Sequence, residues 1–265
     1  MIRHALVLAL CAASFADVVI ERTAVVKTTR VDGRVETVPR RERVSIQGGN
    51  VRIEDLDLAE VWILRVDKGV LWYVDERAGT YAEVPFDLVR ARRLELVAQL
   101  EECAKRVTDK DLNARYQELL MQLGAIDGAP EIAATGEKAE VAGRACERIT
   151  LKAGRIQAMD ALVATGVPGA AEYWTALGRI DALPHGVAEA LAKDARLPMK
   201  GKTRMTFLLA RVERTEEVTR IEERACDAKE FDLPAGLTSF ELPGFEAERG
   251  PQEAPKGGIE QDQPK

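Results

Sequence analysis

The sequence predicts an α+β protein in which antiparallel strands outnumber helices. Short stretches of alternating apolar and polar residues fill Asp17–Pro85, separated by glycine-bearing turns. The period lengthens to three and four residues over Phe86–Gly124. Strand-like patterns return from Lys138 onward, interrupted by an Ala-rich stretch of helical period at Pro168–Ala195. Runs of strands segregated from runs of helices are the signature of an α+β layer architecture.

Each element has a local cause. Asp17–Arg30 and Arg34–Gln47 flank Val31-Asp32-Gly33, and Asp-Gly is a strong hairpin signal. Gly48-Gly49-Asn50 turns into Val51–Glu54. Ala59–Val66 and Val70–Val74 flank Asp67-Lys68-Gly69, and Arg77-Ala78-Gly79 leads into Thr80–Val84. In Phe86–Gly124 the apolar positions Leu88, Val89, Leu96, Val97, Leu100, Cys103 and Val107 keep helical steps, with Thr108-Asp109 predicted to cap a second helix and Gly124 to end it. The charged face of the first helix, from Arg90 to Arg106, reads as solvated. Ile126–Glu137 is expected to be a loop and Lys138–Leu151 a strand, with Gly143 marking a bulge or close approach. Arg155–Thr165 reads as a further strand, and the helix over Pro168–Ala195 should break near Pro184. Thr203–Val212 and Glu213–Cys226 read as strands, and Phe231–Phe245 as extended chain. Glu246–Lys265, rich in Pro, Gly, Gln and charge, is expected to be a disordered tail.

Met1–Ala16 reads as a secretory signal peptide. Arg3 supplies a positive start, Ala5–Ala13 is an apolar run too short to span a bilayer, and Ser14-Phe15-Ala16 offers small residues for cleavage after Ala16. Lipidation at Cys11 is disfavoured by Leu10, which stands where a small residue is required. The expectation is therefore an exported chain, periplasmic or extracellular, with one domain over residues 17–245 and no integral membrane span. With Lys+Arg 38 against Asp+Glu 44, a net charge of −6, no strongly cationic surface is available for nucleic acid.

Catalytic chemistry is poorly represented. There are 2 histidines, one of them in the signal segment, and His185 sits in a Leu-Pro-His-Gly break that reads as a solvated turn. A hydrolytic triad or a zinc site has little to draw on, and no glycine-rich phosphate loop occurs. Neither cofactor nor metal is expected, and Asp55-Leu56-Asp57 reads as a solvated loop rather than a calcium site. Arg40-Arg41-Glu42-Arg43 suits either anionic headgroups or an exposed strand edge that discourages aggregation. The cysteines beyond the signal segment are Cys103, Cys146 and Cys226; Cys103 keeps register with the helix core, while Cys146 and Cys226 either form a disulfide on neighbouring strands or remain buried thiols.

Val61-Trp62-Ile63-Leu64 and Val70-Leu71-Trp72-Tyr73-Val74 are apolar on both faces and must be covered on both. Alternation places Trp62 with Leu64, Trp72 with Val74, and Phe207 with Leu209. If these faces share one side of the sheet, with the helices of Phe86–Gly124 and Pro168–Ala195 as cover, they line an apolar ligand pocket; otherwise they are a filled core.

Several segments carry a family resemblance. They are Asn50–Glu54, Ile63–Asp75, Thr80–Val84, Thr135–Lys138, Ala142–Arg148 and Phe231–Gly236, in that order. The set resembles the bacterial exported family catalogued as domain of unknown function 4412, itself similar to LolA/LppX-like carriers of lipoproteins and lipids. Leu162 and Arg144 stand where that family usually has aromatic residues. The resemblance implies a curved, unclosed antiparallel β-barrel covered by helices, with an apolar cavity between them, and brings no catalytic residues. The expected function is thus a periplasmic carrier of a lipid, acyl chain or lipoprotein, and the alternative a non-catalytic structural or interaction protein of the envelope, with a protein partner and a filled core.

Overall fold

The computed structural model describes residues 17–30, 33–123, 130–154, 156–184, 186–207, 210–243 and 245. The expected signal peptide, the tail, His185 and Leu209 lie outside them. The first half forms a meander: β1 (Val18–Thr29), β2 (Val35–Gln47), β3 (Asn50–Asp55), β4 (Glu60–Arg65), β5 (Val70–Asp75) and β6 (Thr80–Pro85). Two helices follow, α1 (Phe86–Arg106) and α2 (Lys110–Gln122). Then come β7 (Pro130–Val141), β8 (Arg144–Ala153) and β9 (Ile156–Ala164), helices α3 (Ala170–Arg179) and α4 (Val187–Ala192), and the hairpin β10 (Leu197–Phe207) and β11 (Ala210–Glu223). A two-residue β12 (Thr238–Ser239) comes last. All strands belong to one 12-stranded sheet in the order β12-β6-β5-β4-β3-β2-β1-β11-β10-β9-β8-β7, which is unclosed. Every pairing is antiparallel except β12 on β6.

The meander follows the predicted turns at Gly48-Gly49-Asn50, Asp67-Lys68-Gly69 and Arg77-Ala78-Gly79, while Val31 and Asp32 of the first predicted turn lie outside the described residues. Pro39 is tolerated within β2 because β3 pairs only Glu42–Gln47, so β2 has no neighbour on that side at Pro39. Three expectations need correction. The segment expected to be a loop up to Glu137 is strand from Pro130; β7 is an edge strand exposed on both faces, so it carries no alternation to read. Gly143 is not a bulge inside one strand but half of the β7–β8 turn, with Ala142 at φ 49° and Gly143 at φ 73°. In the last hairpin Phe207 pairs with Ala210, so β11 begins earlier than expected, and β10 begins at Leu197.

The two faces of the sheet are covered differently. On the helix face, Val18, Ile20, Val44, Ile46, Leu64 and Leu71 pack with Trp174, Leu177, Leu191 and Met199 in one continuous core. Ala170 and Ala176 of α3 are fully buried, and Gly169 caps the helix against Val18, where a Cβ would come within 2.6 Å of Cγ1. On the opposite face, Val19, Val61, Ile63, Trp72 and Val74 are covered by the C-terminal strap, whose Cys226, Phe231, Leu233 and Leu237 pack on them. The strap then pairs with the β6 edge at Thr80 and Tyr81, and Phe240 stands edge-on to Tyr73 at 6.1 Å. Leu242 and Phe245 finish in the core of the helix face. The chain thus passes around the sheet edge and seals it.

Helices α1 and α2 do not cover the sheet as expected. Only the start of α1, at Phe86, Leu88 and Val89, joins the main core. Beyond it the two helices pack on each other through Leu100, Ala104, Leu120 and Leu123. Asp109 caps α2 as predicted, accepting from the Leu112 amide at 2.9 Å. Cys103 is exposed, since the buried stripe runs through Leu100 and Ala104 instead. No helix among the described residues is long and apolar enough to cross a membrane.

Candidate functional site

The residues expected to line a pocket do not meet. On the β4–β5 ladder Trp62 pairs with Tyr73, and Ile63 with Trp72. Directly opposed residues share a face, so Trp62 and Trp72 point to opposite sides. Trp62 and Leu64 belong to the helix face, with Leu64 fully buried and Trp62 partly so, its ring 4.4 Å from that of Tyr73. Trp72 and Val74 belong to the strap face, where Trp72 donates its indole N–H to Glu83 at 2.7 Å and lies beneath Lys68. Phe207 ends β10, but its side chain, like Leu209, lies outside the described residues. Cys146 and Cys226 are free, buried thiols in different clusters. The expected disulfide on neighbouring strands is not formed: β9 and β10 separate β8 from β11.

The helix face carries a buried ionic cluster that was not anticipated. Arg22 on β1 donates to Glu42 on β2 at 2.9 Å and reaches Glu216 on β11 at 3.2 Å. Arg214 donates to the same Glu42 Oε2 at 2.5 Å and to its Oε1 at 3.1 Å, and the Thr203 hydroxyl stands 3.3 Å from Glu216. Tyr173 of α3 covers the group, with its hydroxyl 3.4 Å from Arg22. Burial pushes the Glu42 carboxyl up, but Arg214 and Arg22 outweigh it and hold the pKa at about 2. Burial also works against the charge of Arg22, and Tyr173, Glu42 and Glu216 more than restore it. A neighbouring group continues the polar stripe: Arg40 meets Asp55 at 2.9 Å, and Asp55 accepts from the Asp57 and Leu58 amides. A parity signal for the cluster existed in the sequence. Arg22 follows Ile20 by two, Glu42 precedes Val44 by two, and Glu216 precedes Val218 by two, all core positions. Two arginines balanced by two glutamates leave no charge for a ligand, so the cluster ties α3 to three strands.

The strap face carries an open groove of about 870 Å³ where the strap does not reach. Its floor is one lateral row of directly opposed residues: Arg41, Thr23, Glu217, Lys200, Leu162 and Arg148, one from each of β2, β1, β11, β10, β9 and β8. Val25, 48% exposed, and Pro39 lie beside the row as an opposed pair. The charges along the groove are already paired. Arg41 holds Asp57 at 2.6 Å, Lys200 holds Glu217 at 3.1 Å, and Arg148 holds Glu137 at 3.2 Å and Asp160 at 2.9 Å. The groove thus offers apolar patches, Val25 with Pro39 on β1 and β2 and Leu162 on β9, among and between charges that neutralise one another, within the size range of small-molecule sites.

Among the described residues no group of three or more His, Cys, Asp or Glu is placed to hold a metal ion. No family model matches the chain, and no curated protein matches it. Among solved structures, the chain is similar to an uncharacterized conserved protein from Thermus thermophilus, with a TM-score of 0.40 and 8% identity, over 86% of this chain and 91% of that one.

Proposed function

We propose that this chain is an exported, non-catalytic binding protein of the cell envelope, and that its ligand surface is the groove on the strap face. A curved, LolA-like sheet carries the site in this reading, with the sheet's own strands rather than the helices forming the wall. One observation carries it: Val25, Pro39 and the half-buried Leu162 line an open groove among cations and acids that satisfy one another. A surface of that kind favours an elongated ligand with an apolar body, such as an acyl chain or the lipid part of a lipoprotein, and gives no advantage to a charged body. The space beneath α3 and α4 is a weaker candidate, because Trp174, Leu177, Leu191 and Met199 fill it with side chains at most 1% exposed.

A second reading, an envelope protein that acts through protein contacts alone, is favoured by that same filled core. Native mass spectrometry of protein recovered from its own compartment separates the two. The binding reading expects a lipid-sized mass that is lost in Leu162→Arg, and lost in Val25→Arg with unchanged Tm. A lipid retained in both variants but lost in Trp62→Ala would move the site to the helix face. Absence of any bound mass, with no uptake of added fatty acid, would favour the protein-contact reading.

A further inference from the structure

We infer that the cleft between the strap and strands β2–β3 takes the anionic end of the ligand whose apolar body lies in the groove; the inference rests on the groove reading above. The cleft has a volume of about 410 Å³ and is lined by Arg43, Arg52, Arg224 and Lys229, with Glu54, Glu230, Asp232 and the strap residues Leu233 and Pro234. It adjoins the groove. Arg43 follows Arg41 by two on β2 and shares its face, so the cleft begins about 7 Å along the strand from the groove row. Across the ladder, Glu21 faces Arg43 just as Thr23 faces Arg41.

The two regions differ in how their charges are spent. Groove cations sit in short ion pairs, whereas several cleft cations do not. Arg52 is committed, holding Glu54 at 2.8 Å and donating to the Glu230 carbonyl at 2.9 Å. Asp232 is committed to Arg65 at 2.6 Å and Lys68 at 3.5 Å. Among the described residues Arg43 has only long contacts, 3.4 Å to Glu54 and 3.7 Å to Glu21, and Arg224 reaches Glu222 at 3.8 Å and the Ala225 carbonyl at 3.3 Å. Lys229 makes no ion pair among the described residues. Opposing these three, Glu230 is the cleft acid that makes no ion pair among the described residues. An incoming phosphate or carboxylate would exchange long contacts for short, charge-assisted hydrogen bonds, which are the stronger kind. A groove with apolar patches that adjoins under-used cations fits an amphiphile with an anionic head. The same chemistry would accept a free phosphate ion, so the source has to be decided by experiment.

The test is isothermal titration of the full chain lacking the signal segment, at low salt, with sub-micellar lysophosphatidylglycerol, lysophosphatidylcholine and inorganic phosphate. The measurement is repeated on an Arg43→Gln/Arg224→Gln/Lys229→Gln variant and on Val25→Arg. The expected result is lysophosphatidylglycerol binding about tenfold more tightly than lysophosphatidylcholine. The triple variant should abolish that preference while leaving lysophosphatidylcholine affinity unchanged, and Val25→Arg should weaken both lipids together. Equal affinity for the two lipids in the unaltered chain, or a preference that survives the triple variant, overturns the cleft's role and leaves the groove reading intact. Inorganic phosphate binding as tightly as the anionic lipid, and insensitive to Val25→Arg, assigns the cleft to a free anion and overturns the joined head-and-tail site. Failure of both lipids to bind overturns the groove reading and this one with it.

Discussion

Arg22 and Glu42 oppose each other directly across β1 and β2 and meet at 2.9 Å beneath α3, with side chains only 4% and 3% exposed. Glu42 is the shared acceptor of the cluster, since Arg214 binds the same Oε2 at 2.5 Å. Two guanidinium groups and one carboxylate are therefore interdependent, with Glu216 completing the neutral set.

Removing the charge of Glu42 should be costly. Glu42→Gln leaves Arg22 and Arg214 buried with Glu216 alone, and breaking a buried pair from one side costs about 3–5 kcal/mol. Burial raises the Glu42 pKa and the two arginines lower it further, to about 2 from an ordinary 4.5. A group whose folded pKa is depressed contributes stability above its unfolded pKa and loses it as pH falls toward the folded value. Urea unfolding of the unaltered chain should thus weaken progressively below pH 4.5, toward 2. Glu42→Gln should start lower and lose less over that window. An acid profile identical in slope to that of the unaltered chain would show that Glu42 does not set it.

The strap predicts a second pair of linked effects. Phe231, 1% exposed, packs in the same cluster as Trp72, 6% exposed, on the face away from the helices. Trp72→Ala and Phe231→Ala should each destabilise by about 3–5 kcal/mol, the usual cost of emptying an aromatic core site. Phe231→Ala should also shift Trp72 fluorescence to the red, because loosening the strap admits water to the indole. Added fatty acid should restore neither variant. Recovery of Trp72→Ala by an acyl ligand would instead mark Trp72 as a pocket wall.

The elements that were legible are those with local causes. Asp67-Lys68-Gly69 and Arg77-Ala78-Gly79 turn where expected, and Asp109 caps its helix through an amide three residues away. The two-sided burial of Trp62 and Trp72 was also legible, because it is written in an unbroken apolar run. What covers Trp72 was not. Phe231 lies in a short 3-10 turn with exposed neighbours such as Lys229 and Asp232, and nothing local says that it returns to β5. The groove was invisible for a similar reason: its row draws one residue from each of six strands, and only the strand order brings Arg41 and Leu162 onto one surface. The Pro130–Glu137 part of β7 was missed because its exposure leaves the sequence without a period.

The thiols should report burial rather than bonding. Cys103 is exposed, while Cys146 and Cys226 are buried, and burial pushes both of their pKa values up. Thiolate is the reactive form, so both effects slow them. Titration of the folded chain lacking residues 1–16 with a thiol reagent should modify Cys103 rapidly and the other two only in denaturant. The intact mass after full alkylation without reductant should correspond to three free thiols. A mass showing one modification under denaturing conditions would establish the Cys146–Cys226 disulfide.

Gly201 is the position where a single methyl group should do most damage to the sheet. It lies on β10 between Ala161 of β9 and Glu216 of β11, one residue after the register shift at Pro198/Lys200. Its φ is +154°, and an added Cβ would come within 2.4 Å of both the Ala161 Cα and the Asp160 carbonyl oxygen. Those are backbone atoms, so relief requires the strands to separate rather than a side chain to turn. Overpacking of this kind typically costs about 1–3 kcal/mol, with backbone strain added. Separation would also move Glu216, which is opposed to Gly201 and held by Arg22 at 3.2 Å. Gly201→Ala should therefore lower the urea midpoint and speed hydrogen exchange in both β9 and β11. Gly79→Ala is the control: its φ is +66° with nothing within 4 Å of the new Cβ, so only turn strain is added. That variant should lose about 1 kcal/mol, with protection in β9 and β11 unchanged. Equal losses in the two variants would mean that backbone conformation, and not the close approach of β9, is what requires glycine at position 201.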